Sequence, residues 1–233
     1  MHEHWTVIGG WGTAPEVLRP VFGGNATYID VNNHTSALLS GGELAPDWRE
    51  RFSRDIQSYR SDTGYLACWS TGAILALCCA SLFKCNALVL ISATPSFCRN
   101  GTYRFGIHHR TVRSMQEKLL ADRETVLRDF YRRCGIPETS GISGRWTSEQ
   151  LSDGLDLLMQ VSLDRHETAS CPPLFVHGTR DAIIPFAAGQ YLQEQSDCTM
   201  LALDAPHACF INNEETIKSA ILHYLEGIGN EPV

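Results

Sequence analysis

Three side chains that could together activate a nucleophile occur far apart in this chain, each just after a short apolar run. Ser70 follows residues 64–69, Asp181 follows residues 173–177, and His207 follows residues 200–203. A serine hydroxyl is a weak nucleophile, so an imidazole must take its proton as the new bond forms, and a carboxylate must orient that imidazole. The three residue types therefore indicate acyl-transfer chemistry at a serine.

The stretch around Ser70 has the pattern of a strand that turns sharply into a helix. Gly72 follows two residues later, and a small, apolar, helix-like run follows at 73–80. At such a joint the serine oxygen stands clear of the sheet, and the first N–H groups of the helix point toward the bound substrate. The usual pattern is Gly-x-Ser-x-Gly, and here the small Cys68 replaces the first glycine. The alternative is a buried strand and a core helix with an incidental serine.

Six apolar runs predict the strands that must position these side chains, at 5–8, 26–31, 64–69, 87–92, 173–177 and 200–203. Helical patterns occur between and after them, at 47–59 and 214–225. Alternating strands and helices indicate a parallel sheet, and such sheets bind ligands beyond the carboxyl ends of their strands. We therefore expect one α/β domain over residues 1–233, with the three polar residues at one edge of its sheet.

Each of the three residues also has a structural alternative. Asp181 could only cap the turn into 184–186, and His207 could be a surface histidine. Asp204, three residues before His207, is a second candidate for the acid. The chain order Ser–Asp–His is that of triads built on this type of sheet, and its occurrence at three strand ends favours the catalytic interpretation.

The composition argues against several classes of protein. The net charge of −7 argues against a general nucleic-acid binder, and the longest apolar runs are too short to span a bilayer. The first residues lack the basic and apolar regions of a signal peptide, so we expect a cytoplasmic protein. The nine cysteines show no metal-binding spacing and are expected to be reduced and mostly buried.

The segment 97–137 interrupts the alternation of strands and helices and concentrates positive charge. It contains nine basic and four acidic residues, so its charge is +5 and that of the remaining chain is −12. Helical patterns at 108–120 and 124–134 predict a helical lid, which we place at 97–166, after the fourth strand. A basic lid on an acidic body indicates docking of an acidic partner, and a solvated pair of amphipathic helices is the alternative.

Several further motifs join the serine stretch Trp69-Ser70-Thr71-Gly72. They are Gly10-Trp11-Gly12 and the stretches at 92–97, 154–158, 180–185 and 205–211. On these motifs the chain resembles the α/β-hydrolases and, more narrowly, the pimeloyl-acyl-carrier-protein methyl ester carboxylesterases of biotin synthesis. The resemblance extends over nearly the whole chain, although Cys68 departs from the usual glycine and the family's usual leading hairpin is expected to be missing.

The resemblance implies a mostly parallel sheet of about six strands, flanked by helices, and a role for each polar residue. Ser70 is expected to attack an ester carbonyl, His207 to act as base and then acid, and Asp181 to orient the imidazole. The backbone N–H groups of Trp11 and Thr71 are expected to hold the oxyanion, and the Trp11 indole to wall the acyl pocket. No metal or organic cofactor is implied.

The resemblance also assigns roles within the lid. Its substrate-facing residues are expected to be Arg123, Glu124, Thr125, Val126 and Leu127, although the family has phenylalanine where this chain has Arg123. The implied partner is an acyl carrier protein, which would dock on a monomeric enzyme, with no nucleic acid or membrane involved. From the positive charge of the lid, and not from the resemblance, the residues expected to dock the carrier protein are Arg110, Arg113, Arg128 and Arg132.

Two other functions remain open from the residues alone. A broad-specificity short-chain esterase or an acyl thioesterase would use the same three residues. A non-catalytic, ligand-binding relative of the hydrolases is the alternative outside the enzymes.

Overall fold

The alternation of short apolar strands with helices produces one parallel sheet of six strands. The computed structural model describes residues 4–59, 64–137, 145–163, 171–196 and 198–229. Within them the sheet has the order β2-β1-β5-β6-β7-β8, and every neighbouring pair is parallel. Its strands are β1 (Trp5–Ile8), β2 (Thr27–Ile29), β5 (Tyr65–Trp69), β6 (Ala87–Ile91), β7 (Leu174–Gly178) and β8 (Met200–Leu203).

All six predicted strands are present, within two residues of their predicted bounds, and the predicted fold class is confirmed. A small antiparallel hairpin of β3 (Leu39–Ser40) and β4 (Glu43–Leu44) was not predicted. Two-residue strands are too short to show a hydrophobic period, so no pattern in the sequence predicts them.

The helices cover the sheet, and every residue of its strands β1, β6 and β7 is buried. They are α1 (Arg19–Phe22), α2 (Trp48–Ser58), α3 (Thr71–Cys78), α7 (Phe186–Gln195) and α8 (Glu214–Gly229), together with three in the inserted segment. Helix α3 packs on β5 and β6, and α8 packs on β6 and β7. Every residue of β6 is buried, as expected of a strand with both faces covered. No helix within the described ranges is long and apolar enough to cross a membrane.

The strand order brings two loops together at the carboxyl edge of the sheet. The chain runs from β1 outward to β2 and later returns to β5 on the other side of β1. The loops that leave β1 and β5 therefore diverge from neighbouring strands, which opens a crevice at this point. The first loop contains residues 9–12, and the second begins at Ser70.

Three helices lie in the described part of the segment inserted between β6 and β7. They are α4 (His109–Ala121), α5 (Arg123–Cys134) and α6 (Ser148–Gln160), and α4 packs against both of the others. The two predicted helices at 108–120 and 124–134 correspond to α4 and α5, whereas α6 was not predicted. Residues 138–144 and 164–166 of the predicted lid lie outside the described residues.

A buried carboxylate, Asp30, connects the inserted segment to the sheet. It follows β2, and its Oδ2 accepts hydrogen bonds from Trp146 Nε1 at 2.9 Å and Arg145 Nε at 3.1 Å. Its Oδ1 accepts bonds from the backbone N–H of Asn32 at 3.1 Å and from the side-chain amide of Asn32 at 2.8 Å. Both oxygens thus face only donors, an arrangement that requires a carboxylate.

We expect Asp30→Asn to destabilise the protein by about 1–3 kcal/mol, because the new amide group must point its own N–H groups at one of these sets of donors. Urea unfolding at neutral pH measures the change. The control is Asp129→Asn, which alters an exposed ion pair with Arg132 in α5 and should change the free energy of unfolding by less than about 1 kcal/mol. Equal losses in the two variants would contradict the role given to Asp30.

Candidate active site

Ser70 lies in a strained turn between β5 and α3. Its φ is 56° and its ψ is −119°, a conformation that costs a residue other than glycine about 1–3 kcal/mol. The turn is held by its N–H, which donates to the carbonyl of Ile91 at 3.0 Å. Gly72 is required because a Cβ there would lie 2.6 Å from the carbonyl oxygen of Gly9. The structure thus has the sharp strand-to-helix turn that the sequence predicts, with Cys68 buried in β5.

Ser70, His207 and Asp181 form a hydrogen-bonded chain. Nε2 of His207 lies 2.9 Å from Ser70 Oγ, and Nδ1 of His207 lies 2.7 Å from Asp181 Oδ2. A carboxylate can only accept, so the proton on the imidazole is assigned to Nδ1, which leaves Nε2 to accept the Ser70 hydroxyl. This is the protonation state in which an imidazole can remove a proton from a serine.

The carboxylate of Asp181 is buried and fully engaged. Its Oδ1 accepts the backbone N–H groups of Ile183 and Ile184, each at 2.8 Å, while Oδ2 accepts His207. Burial by itself would raise the pKa of this carboxyl, but the charges and hydrogen bonds of His207 and His177 outweigh that effect and hold the pKa well below its usual value. Asp181 therefore both caps the turn and holds His207, so the two interpretations of the sequence are compatible.

The backbone of His207 is fixed by two further side chains. Its carbonyl accepts hydrogen bonds from Ser92 Oγ at 2.9 Å and from Trp69 Nε1 at 3.3 Å. The Trp69 and His207 rings also pack together, with centroids 5.4 Å apart. His207 is completely buried, which rules out its alternative as a surface histidine.

The second candidate acid, Asp204, is directed elsewhere. Its side chain is 84% exposed, and its Oδ1 accepts Arg180 Nε at 2.6 Å. The carboxylate that contacts His207 is that of Asp181.

The two amides expected to hold an oxyanion belong to adjoining loops. Thr71 is the first residue of α3, where a backbone N–H has no partner inside the helix. The N–H of Trp11 donates to the Thr71 hydroxyl at 3.2 Å. The Trp11 indole is buried, with Nε1 donating to the Leu151 carbonyl at 2.8 Å and the ring packed edge-on against Phe130.

The inserted segment covers these loops. Tyr131 Oη in α5 donates to the Gly12 carbonyl at 2.6 Å, and the Cys134 carbonyl accepts the N–H of Ala208 at 2.8 Å. Burial raises the pKa of Tyr131, so this phenol stays protonated and able to donate. Ser70 itself is only 6% exposed.

The predicted lid residues have different surroundings. Val126 and Leu127 are buried, and Leu127 packs close to Gly12, whereas Glu124 and Thr125 are exposed. Arg123 donates through Nη1 to the Trp146 carbonyl at 2.6 Å. The four arginines assigned to docking are exposed, two in α4 and two in α5, namely Arg110, Arg113, Arg128 and Arg132.

One residue beside the site, His177, received no role from the sequence. It lies in β7, four residues before Asp181, and is buried, with Nε2 lying 3.4 Å from Asp181 Oδ2. The sequence feature that could have identified it is its position at a strand end, four residues before Asp181.

Among the described residues, no group of three or more His, Cys, Asp or Glu side chains is arranged to hold a metal ion. A surface cavity of about 380 Å³ lies beside Tyr103, Phe105 and Tyr191, and its lining does not include Ser70, Asp181 or His207.

Comparison with known proteins gives relatives of one name. The pimeloyl-[acyl-carrier protein] methyl ester esterase of Chromobacterium violaceum is 26% identical, over 68% of this chain and 68% of the relative. The protein of the same name from Nitrosomonas europaea is 26% identical, over 94% of this chain and 92% of the relative. No protein-family model matches the chain. The resemblance inferred from the motifs is confirmed by these relatives.

Solved structures give the same fold. The esterase EaEST from Exiguobacterium antarcticum superposes with a TM-score of 0.76 and 17% identity, covering 97% of this chain and 93% of that chain. BioG from Haemophilus influenzae superposes with a TM-score of 0.60 and 18% identity, covering 90% of this chain and 91% of that chain. The chain has the α/β-hydrolase fold.

The low pKa of Asp181 predicts how stability depends on pH. Its folded-state pKa lies below the unfolded value of about 3.9, so its ionisation stabilises the fold above that pH, and the contribution is lost as the pH falls below it. We expect Asp181→Asn to reduce the loss in unfolding free energy between pH 5 and pH 3 by about 1–2 kcal/mol relative to the wild type. Urea unfolding at both pH values measures this, and Asp204→Asn, at an exposed carboxylate, should keep the wild-type loss. An Asp181→Asn variant with the full wild-type loss would refute the prediction.

Proposed function

We propose that this protein, which has the α/β-hydrolase fold, is a serine carboxylesterase that hydrolyses the methyl ester of a pimeloyl chain carried by an acyl carrier protein. The observation that carries the proposal is the chain from Ser70 Oγ through His207 to Asp181, at 2.9 and 2.7 Å. The names of the curated relatives supply the substrate class.

The proposed reaction begins with the attack of Ser70 Oγ on the ester carbonyl while His207 Nε2 takes the hydroxyl proton. Asp181 stabilises the imidazolium that forms and holds the ring in place. His207 then gives the proton to the departing methoxide, which leaves as methanol. In the second half His207 activates a water molecule, which releases the acid from Ser70.

The oxyanion would be held by the N–H groups of Thr71 and Trp11. Because the Trp11 N–H donates to the Thr71 hydroxyl, the substrate oxygen would replace that hydroxyl as its acceptor. Loss of one oxyanion donor typically lowers the rate by about 10²–10³-fold. The free energy that this factor represents is larger than that of the single neutral hydrogen bond that is exchanged.

The inserted segment is proposed to act as a lid, with its basic face docking the carrier protein. In α5, Leu127 and Tyr131 face the loop at residues 9–12, while Arg128 and Arg132 are exposed. One helix therefore offers an outer charged face and an inner face over the site. The charge of +5 on 97–137 against −12 elsewhere would orient an acidic partner toward this face.

The test of the catalytic proposal is Ser70→Ala, with hydrolysis of methyl-pimeloyl carrier protein and of p-nitrophenyl acetate as the two assays. We expect kcat to fall by about 10⁴-fold or more on both esters, because removal of the nucleophile leaves only binding and the oxyanion donors. Ser58→Ala, at an exposed serine of α2, is the matched control and should retain wild-type activity. Activity that survives in Ser70→Ala would refute the mechanism.

The docking proposal is tested by reversing charge. The double variants Arg110→Glu/Arg113→Glu and Arg128→Glu/Arg132→Glu should each lower kcat/KM for the carrier-bound ester by about 10-fold or more at low salt, because steered association depends on such charges. Their kcat/KM for the free ester should be unchanged. Arg54→Glu, at an exposed position of α2, is the control for added negative charge away from α4 and α5, at half the charge change of each double variant, and should leave both values unchanged.

A wild-type enzyme that is equally efficient on carrier-bound and free esters would instead support a broad-specificity esterase.

A further inference from the structure

A second buried imidazole lies behind the proposed catalytic residues. His177 is 2% exposed and ends up beside Asp181 because β7 leads directly into the turn that carries this carboxylate. Its Nε2 lies 3.0 Å from the carbonyl oxygen of Ile184 and 3.4 Å from Asp181 Oδ2. The reaction described above gives it no proton to transfer.

The contacts of Nε2 determine which nitrogen of His177 carries a proton. A carbonyl oxygen can only accept, so the hydrogen bond to Ile184 requires the proton on Nε2. The same N–H then faces Oδ2 of Asp181, the oxygen that also accepts His207 Nδ1. Two imidazoles thus share one carboxylate oxygen from different sides.

His177 also supports the turn that holds the other carboxylate oxygen. The backbone N–H groups of Ile183 and Ile184 bind Asp181 Oδ1, and the carbonyl of the same Ile184 accepts His177 Nε2. Loss of this nitrogen would therefore loosen both sides of the carboxylate at once. The bonds that remain, from His207 to Oδ2 and from the two backbone N–H groups to Oδ1, would then hold the carboxylate less firmly.

Helix α7 leaves space for this imidazole. Gly189 lies within α7, where glycine is less favourable than alanine, and a Cβ at that position would lie 2.7 Å from His177 Nδ1. The ring also packs edge-on against Phe186, with centroids 5.8 Å apart. The close approach of the His177 ring therefore explains why a glycine occupies position 189 within a helix.

We propose that His177 is a positioning residue, which holds the Asp181 carboxylate in the orientation that His207 requires. The inference rests on the proposed function, since it concerns the same serine hydrolase site. Its effect is exerted through Asp181 and His207, and the substrate does not contact it.

The test compares His177→Phe, which keeps a ring against Phe186 but removes the N–H donor, with His177→Gln, which restores a side-chain N–H. We expect His177→Phe to lower kcat for p-nitrophenyl acetate by about 10-fold with KM unchanged, and His177→Gln to recover most of that loss. The rate at which phenylmethylsulfonyl fluoride labels Ser70 should fall in parallel with kcat. The low-field NMR signal of the proton between His207 Nδ1 and Asp181 Oδ2 should shift in His177→Phe.

A variant that keeps His177 but crowds its imidazole ring gives a second measurement, in case His177→Phe does not fold. Gly189→Ala should lower kcat and shift the same NMR signal, whereas Gly227→Ala, in α8 where a Cβ meets nothing within 4 Å, should leave both unchanged. Wild-type kcat and an unshifted signal in the His177 and Gly189 variants would overturn the inference, and so would equal losses in His177→Phe and His177→Gln. If Ser70→Ala kept its activity, the proposed function would fail instead, so the two failures are distinguishable.

Discussion

One buried negative charge determines how the carboxyl edge of this sheet is built. A carboxylate taken out of water is costly unless every lone pair direction finds a donor. Asp181 meets that condition with donors from the turn that follows it, from the β8 loop and from β7 itself. The position of His207, and through it the direction of its Nε2 toward Ser70, follows from satisfying this one charge.

The sheet topology brings the contributing segments together with little need for long connections. Neighbouring parallel strands β6, β7 and β8 place their following loops side by side, and the change of direction between β1 and β5 places the residue 9–12 loop beside Ser70. The strain at Ser70 is opposed by the close packing of Gly72 against Gly9 and by the hydrogen bond to Ile91. The rigid sheet thus supports a turn that would relax in an isolated peptide.

Most of the sheet and the positions of the three polar residues could be predicted, because fully buried parallel strands appear in the sequence as uninterrupted apolar runs such as 87–91. The contacts that complete the site could not. The bond between Trp11 and Thr71 joins residues 60 positions apart, and the bond between Arg123 and Trp146 joins residues 23 positions apart, so no local pattern specifies either of them. His177 was overlooked because a strand-end histidine has no distinctive spacing, and its importance depends on which side of Asp181 it packs against.

Helix α5 lies between the basic outer surface of the inserted segment and the loop at residues 9–12. Its outer residues Arg128 and Arg132 belong to the basic surface, while Tyr131 holds the Gly12 carbonyl beneath it. The Trp11 amide donates to the Thr71 hydroxyl and the Tyr131 hydroxyl donates to the Gly12 carbonyl, so these polar groups are paired within the protein. In the proposed reaction, access to Ser70 would break such bonds, and a partner bound to the outside of α5 would supply compensating interactions. Binding energy gained on the outer face of α5 would then contribute to exposing Ser70, and a small free ester lacks those contacts.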